Sequence, residues 1–343
     1  MELLKGVSLL LVTLSLFSLF SAYMPKGRAA MGGLASAAVA SFLVEAVHSY
    51  ITGDFMQIAF LKSTGLAAGS MGGPAAAMLV CMAMGASPVM AAVASVAVAG
   101  QGILPGFIAG YFCYFVANEL EQRLPEGVNT IAGALLVAPL AYLIASWSAP
   151  VVNETLGIVG LAISEATKQS PIVMGIVLGG IIKVVCTSPL SSMALTAILG
   201  LTGLPMGIAA IACVGGSFTN GIVLKRLNLG NNGNMIAIML EPLTQAPIVT
   251  ANALKFYSCN FFGGAISGLG AVYFGIINNA PGTAAPIPGL LAPFAFNDPM
   301  NVVGALVVAA IGGTVAGFVG TELYLRAAKK KQVEEVSAPL VHS

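Results

Sequence analysis

The sequence predicts an all-α polytopic membrane protein with about ten transmembrane helices, some of them broken or re-entrant. Three observations predict it. First, 57% of the 343 residues are hydrophobic and 8% are charged, whereas soluble domains average about 25% charged. So few charges cannot coat a soluble sphere, and the mean hydropathy is +0.94. Second, the apolar runs approach the roughly 20 residues that cross a bilayer. They lack the strict alternation of a lipid-facing barrel. Third, the 41 glycines suit closely packed membrane helices. A net charge of +1 provides no field for nucleic acid.

Taken in order, residues 3–23 form a first span. The apolar run is long and its charged start, Glu2 and Lys5, is poor for a signal peptide, so the span reads as retained. A short basic connection, 24–28, precedes a small-residue-rich span at 29–51, and 52–63 is a polar link. The apolar run 65–85 is interrupted at Gly72-Gly73-Pro74. Proline removes a backbone donor there, and in lipid the freed carbonyls must find partners inside the protein.

Residues 88–100 and 103–117 follow, then a polar loop at 118–126. Residues 128–147 make a clean span, and 151–169 read as an amphipathic interfacial segment. Residues 171–185 are apolar except for Lys183. Thr187-Ser188-Pro189 breaks the chain before 187–204, and 205–224 ends on Lys225-Arg226. The stretch 231–260 is apolar but carries Glu241, followed by Pro242 and then by Pro247. After the span 261–277, the loop 278–301 is rich in Pro, Gly and Asn yet still apolar, which points to re-entry into the protein. The last span is 302–325. The Lys-rich tail 326–343 is predicted to be cytoplasmic, as is Lys225-Arg226. Three regions result: an N-terminal membrane half (1–170), a C-terminal half carrying the substrate site (171–325), and the tail (326–343).

A weak internal repeat links the halves. GGPAAAMLVCMAMG (72–85) aligns with TSPLSSMALTAILG (187–200), matching Pro74 to Pro189, Met78 to Met193 and Gly85 to Gly200. Matched broken segments of this kind occur in transporters built from structural repeats.

The candidate chemistry centres on Glu241. A charge at the middle of a membrane helix costs about 2.5–3.5 kcal/mol on insertion scales, so its presence needs a reason. Thr244, Gln245, Thr250 and Asn252 add hydroxyls and amides nearby, a combination suited to the hydroxyl groups of a neutral polyol. The alternative is a structural carboxylate that pairs with Lys183 or caps a broken helix. Asn231 and Asn232 lie in a loop that either contacts ligand or simply turns. Thr187, Ser188, Ser191 and Ser192 open a half-helix, whose free amides either bind a solute or are capped. Gly215–Gly221, including Asn220, reads as either a further break or a packing face. Glu45 and His48, three residues apart, either relay protons or form a satisfied pair. Lys183 is either a counter-ion to Glu241 or Glu165, or a snorkelling anchor. The five cysteines sit in or beside apolar runs without a CxxC pair, as small buried hydrophobes do. No zinc-protease, nucleophile-elbow or Walker pattern occurs. The reading therefore includes no metal, no cofactor and no catalytic centre on this chain.

Five long motifs carry a resemblance: SPLSSMALTAILGLTGLPMG (188–207), GGSFTNG (215–221), KRLNLGN (225–231), IMLEPLTQAPIVTAN (238–252) and INNAPGTAAPIPGLLAPFAFN (277–297). The chain resembles the EIIC sugar-translocating subunits of the bacterial phosphotransferase system. More narrowly it resembles a stand-alone branch, some of whose members are described as regulators of toxin production. The resemblance runs from about 171 to 320 and fits 1–65 poorly. It implies a homodimer in the bacterial plasma membrane, re-entrant hairpins in the second half, and a Glu-Pro motif that contacts the sugar, here Glu241-Pro242. Such proteins often also place a histidine near the substrate, but in this chain the second half has none before His342. Without a fused EIIA or EIIB domain, phosphoryl transfer would need separate EIIA and EIIB partners. The expectation is a permease for a small polar solute, a sugar or polyol. A solute sensor without transport, or a proton-coupled carrier using Glu45 and His48, are the alternatives.

Overall fold

The computed structural model describes residues 2–188 and 191–337, and the elements within them are all helical. In chain order these are α1 (Glu2–Tyr23) and α2 (Gly27–Ala38), the latter continued by wide π-helical turns at Val39–Leu43 and Ala46–Phe55. Then come α3 (Ala59–Ser70), α4 (Gly72–Met84), α5 (Pro88–Ala97), α6 (Ile103–Arg123) and α7 (Val128–Gln169). The second half contains α8 (Pro171–Thr187), α9 (Ser192–Ile198), α10 (Gly203–Arg226) and α11 (Asn232–Leu240). A 3-10 turn, Pro242–Gln245, leads to α12 (Ala246–Ala251) and α13 (Ala253–Tyr273). Finally α14 (Pro286–Leu291), a 3-10 turn at Ala292–Ala295 and α15 (Pro299–Ser337) complete the chain. Pro189 and His342 lie outside the described residues.

Six helices are long and apolar enough to cross a membrane, or up to seven if the bent pair α3–α4 counts as one span. The helix at Pro171–Thr187, the one at Pro88–Ala97 and the run Pro286–Ala295 are apolar but shorter. About ten spans were expected; two of them merge in the 42-residue α7, and Gly and Pro leave Pro88–Ala97, Pro171–Thr187 and Pro286–Ala295 below bilayer length. The predicted break at Gly72-Gly73-Pro74 is real, with α3 and α4 meeting at 54°. The two repeat segments also end alike. Gly85 (φ +113°) and Gly200 (φ +59°) both turn the chain through the left-handed region that glycine tolerates best.

Several elements differ from expectation. The spans at 128–147 and 151–169 are one 42-residue helix, α7, which runs through Pro139 and Pro150. Its far half is held by tertiary packing, which overrides the local breaker. Leu10 of α1 is buried with Ile163 of α7, a Cβ on Gly6 would lie 2.6 Å from that of Ala166, and the Leu3 amide donates to Gln169 Oε1 at 2.9 Å. The link expected at 52–63 is helical on both sides of Ile58. The tail does not leave the helix at Arg326, since α15 continues to Ser337 through good helix formers. Nor is Gly215–Gly221 a break: α10 runs through it unbroken. These glycines serve close packing instead. A Cβ on Gly215 would lie 1.9 Å from Ser267 Oγ, and one on Gly221 would lie 2.6 Å from the Met239 sulfur.

Two cores result. In the first half, α2, α4, α5 and α6 pack through alanines and Met84, Met90 and Val80. In the second, α8, α13 and α15 surround α10, whose span is 89% buried, against 17% for α1. Gly179 of α8 and Gly264 of α13 bring those two backbones together, where a Cβ on either would lie within 2.6 Å of the other helix.

Candidate functional site

The stretch around Glu241 is a re-entrant hairpin. Asn231 caps α11: its Oδ1 accepts from the Asn234 amide at 2.9 Å, and Asn234 Oδ1 accepts from the Asn231 amide at 3.0 Å. This reciprocal cap is the turn reading of the Asn-rich loop. Asn232 follows at the exposed first turn. α11 then ends at Glu241, whose extended backbone (φ −149°) breaks the helix before Pro242. The chain doubles back, and Asn234 Nδ2 donates to Gln245 Oε1 at 2.8 Å, tying the base of α11 to the end of the 3-10 turn.

Glu241 therefore occupies the tip of the hairpin. Its Oε1 accepts from the Leu243 amide at 3.4 Å, and its carbonyl accepts from Thr244 Oγ1 at 2.8 Å. Among the described residues Glu241 forms no ion pair, so its carboxylate retains acceptor capacity. The turn after it, Pro242–Gln245, packs against α8. Asn252 sits at the next break, between α12 and α13. It donates to Ile248 O at 3.2 Å and accepts from Lys255 Nζ at 3.2 Å.

The serine-rich break between α8 and α9 differs from expectation in one respect. Thr187 closes α8 rather than opening a half-helix, and its hydroxyl donates to Lys183 O at 3.1 Å. The half-helix α9 starts at Ser192, capped by Ser191, which accepts from the Ala194 amide at 3.2 Å. Ser188 Oγ donates to Val185 O at 2.8 Å. Ser192 Oγ donates to Ala284 O, which fastens α9 to the second apolar loop. That loop does fold into the protein. Asn278 and Thr283 are buried and bonded to each other at 2.8 Å, and Gly289 of α14 lies against the α10 backbone at Ala210. α14 also touches α11, so the two re-entrant pieces meet beside α10.

A second polar group lies on α8, α10 and α13. Asn220 Nδ2 donates to Thr187 Oγ1 at 3.5 Å, and Asn260 Nδ2 donates to Asn220 Oδ1 at 2.7 Å and to Phe256 O at 2.9 Å. All three residues are buried. Sequence reasoning named Thr187 and Asn220 but missed Asn260. Its signal was a lone amide inside an apolar helix, four residues before Gly264.

Lys183 has no exposed surface at all, which corrects the snorkelling reading, since a snorkelling lysine keeps its head in water. It makes no ion pair among the described residues. Its Nζ lies 3.8 Å from Cys186 Sγ. The proposed carboxylate partner Glu165 is instead paired with Lys168 at 2.7 Å.

Glu45 and His48 lie apart from this site, on the π-helical run after α2. His48 Nδ1 is 3.4 Å from Thr52 Oγ1, and the Glu45 carboxylate lies over Gly69 of α3. The two form no ion pair with each other among the described residues. The same run packs on the second re-entrant segment through Tyr50 and Phe296, ring centroids 5.7 Å apart.

The profile of the family described as Phosphotransferase system, EIIC matches residues 28–337. It thus reaches well into the first half, beyond the 171–320 stretch that carries the motifs. No curated protein matches the chain, and no solved structure does.

Proposed function

The chain belongs to the phosphotransferase system EIIC family, and from that premise we propose that it is a permease moving a small polar solute, a sugar or polyol, past Glu241. The observation that carries this reading is the place of Glu241. Among the described residues it makes no ion pair, and it stands at the tip of a hairpin whose turn packs against α8 and whose α11 touches α14. Broken helices that meet inside a membrane protein bring free backbone groups to a solute. A carboxylate with open lone pairs accepts from sugar hydroxyls. Gln245 and Thr244 stand on the same turn, while Asn252 lies at the following break.

The second half would then move relative to a first half that holds the homodimer together. An apolar groove of about 780 Å³ between α6 and α7, walled by Phe112, Phe115, Leu140 and Trp147, supports a helical partner on that side. The C-terminus is assigned to the cytoplasm. Arg226 at the end of α10 pairs with Glu322 of α15 at 2.8 Å, so Lys225, Arg226 and Lys329 gather at one end, the side that positive charge marks as internal. Phosphoryl groups would come from separate EIIA and EIIB proteins, which would dock at that same end.

The test is uptake of labelled sugars and polyols by proteoliposomes containing the full chain. Uptake that Glu241→Gln abolishes supports the site. Equal uptake by wild type and Glu241→Gln for every solute carried would refute it.

A further inference from the structure

The lysine inside the second core makes no ion pair among the described residues, yet the fold is shaped to hold it. Its stem lies in a cradle of two glycines from neighbouring helices. A Cβ on Gly216 of α10 would sit 1.7 Å from Lys183 Cε, and one on Gly264 of α13 would sit 2.5 Å from Lys183 Cβ. A residue kept only for packing would be a leucine or methionine. Burying an ammonium without a partner costs several kcal/mol, and among the described residues its one hydrogen-bond partner is the Cys186 sulfur at 3.8 Å.

One helical turn away lies the amide layer. Residues four apart stack on one helix face, about 6 Å along the axis. Lys183 and Thr187 are so related on α8, Gly216 and Asn220 on α10, and Gly264 and Asn260 on α13. Three helices therefore place a cation in one layer and hydroxyl and amide groups in the next. The upper layer is not self-sufficient, because Asn260 is fully buried and its Oδ1 has no hydrogen-bond partner among the described residues. Such an orphan acceptor costs about 1–3 kcal/mol unless something else donates to it. Immediately beyond the layer α8 ends at Ser188, so a ligand would reach it at a point where the helix is already interrupted.

We infer that this double layer is a ligand subsite for an acidic polyol: Lys183 takes the carboxylate, and Asn260 Oδ1 accepts from a hydroxyl beside it. The inference rests on the permease reading and narrows its solute class from neutral sugars to sugar acids. A carboxylate supplies the direct ion-pair partner that Lys183 lacks among the described residues, and a hydroxyl supplies the donor that Asn260 Oδ1 lacks there.

The experiment is calorimetric titration of the purified full chain in detergent with four probes: gluconate, glucuronate, sorbitol and inorganic phosphate. A sugar acid binding at least about 10-fold tighter than sorbitol is expected, the ratio that one charge-assisted hydrogen bond provides. Lys183→Met should remove that preference, and Asn260→Leu should weaken gluconate while leaving phosphate unchanged. The wild-type ratio decides the matter even if a variant fails to fold. Sorbitol binding as tightly as gluconate overturns this inference and leaves the permease reading standing. Phosphate matching gluconate overturns the polyol half of the assignment. Binding of none of the four overturns the subsite, and failure of Glu241→Gln to alter uptake separately overturns the permease site.

Discussion

Two lysines near the interior show how differently the halves are built. In the first half Lys26, ahead of α2, donates to Met84 O and Tyr114 Oη and lies 4.3 Å from the Tyr114 ring centroid. Its role is complete within the fold, since it ties the start of α2 to the ends of α4 and α6. In the second half Lys183 is fully buried, and among the described residues a thiol is its ammonium's only hydrogen-bond partner. The surrounding cores follow the same division. Before residue 170 the buried polar residues are Thr13, Ser41, Ser49 and Thr167, each small and uncharged. Beyond it they include Lys183, Thr187, Asn220, Asn260 and Asn278. A first half whose polar groups are satisfied acts as a frame, and a second half with unmet groups has something left to bind.

The largest way to break this comparison is at the hairpin tip. Glu241→Gln removes a charged acceptor and should lower solute uptake about 100-fold, the upper range of one charge-assisted hydrogen bond. Ser41→Ala in the first half should leave uptake within about 2-fold, well under one hydrogen bond's worth. Proteoliposome uptake measures both, and similar losses would erase the distinction between the halves.

Next comes the glycine cradle. Gly216→Ala forces a methyl group into the Lys183 stem and should destabilise the protein by about 1–3 kcal/mol, as overpacking does. Combining it with Lys183→Ala should restore most of that loss, because the clash needs both side chains. Unfolding in detergent monitored by circular dichroism reads the cycle; additive losses would mean that the lysine is not what Gly216 accommodates. A smaller effect is expected at Asn260. Asn260→Ala leaves the Asn220 carbonyl without its donor but also removes an orphan oxygen, so the net cost should be about 1 kcal/mol. Least of all, Lys26→Met should cost about 1 kcal/mol, since Lys26 as a residue is exposed and Met keeps the apolar stem against the Tyr114 ring, and should not change uptake.

Much of this organisation is written locally in the chain. The membrane class follows from composition, and the breaks at Gly72-Gly73-Pro74, Thr187-Ser188 and Glu241-Pro242 follow from residues that cannot continue a helix. The continuity of α7 through Pro150 could not be read that way, because packing of α1 on its far half overrides a local breaker. Gly215–Gly221 misled for a related reason. Glycine loosens a helix and also lets two helices touch, and only the neighbours, here Ser267, Lys183 and Met239, decide between the two. Asn260 was missed because its meaning lies in Asn220, forty residues away, which in turn bonds Thr187. Glu241 was legible as a carboxylate that needs a reason. Its position at a hairpin tip depends on the Asn234–Gln245 bond across the turn.

The most direct measurement is a density map of the purified full chain with its transported solute bound. The account predicts solute density in the second half, in contact with Glu241 and bordered by α8, α10 and α13. Solute density enclosed by α2, α4, α5 and α6, with Glu241 untouched, would contradict it.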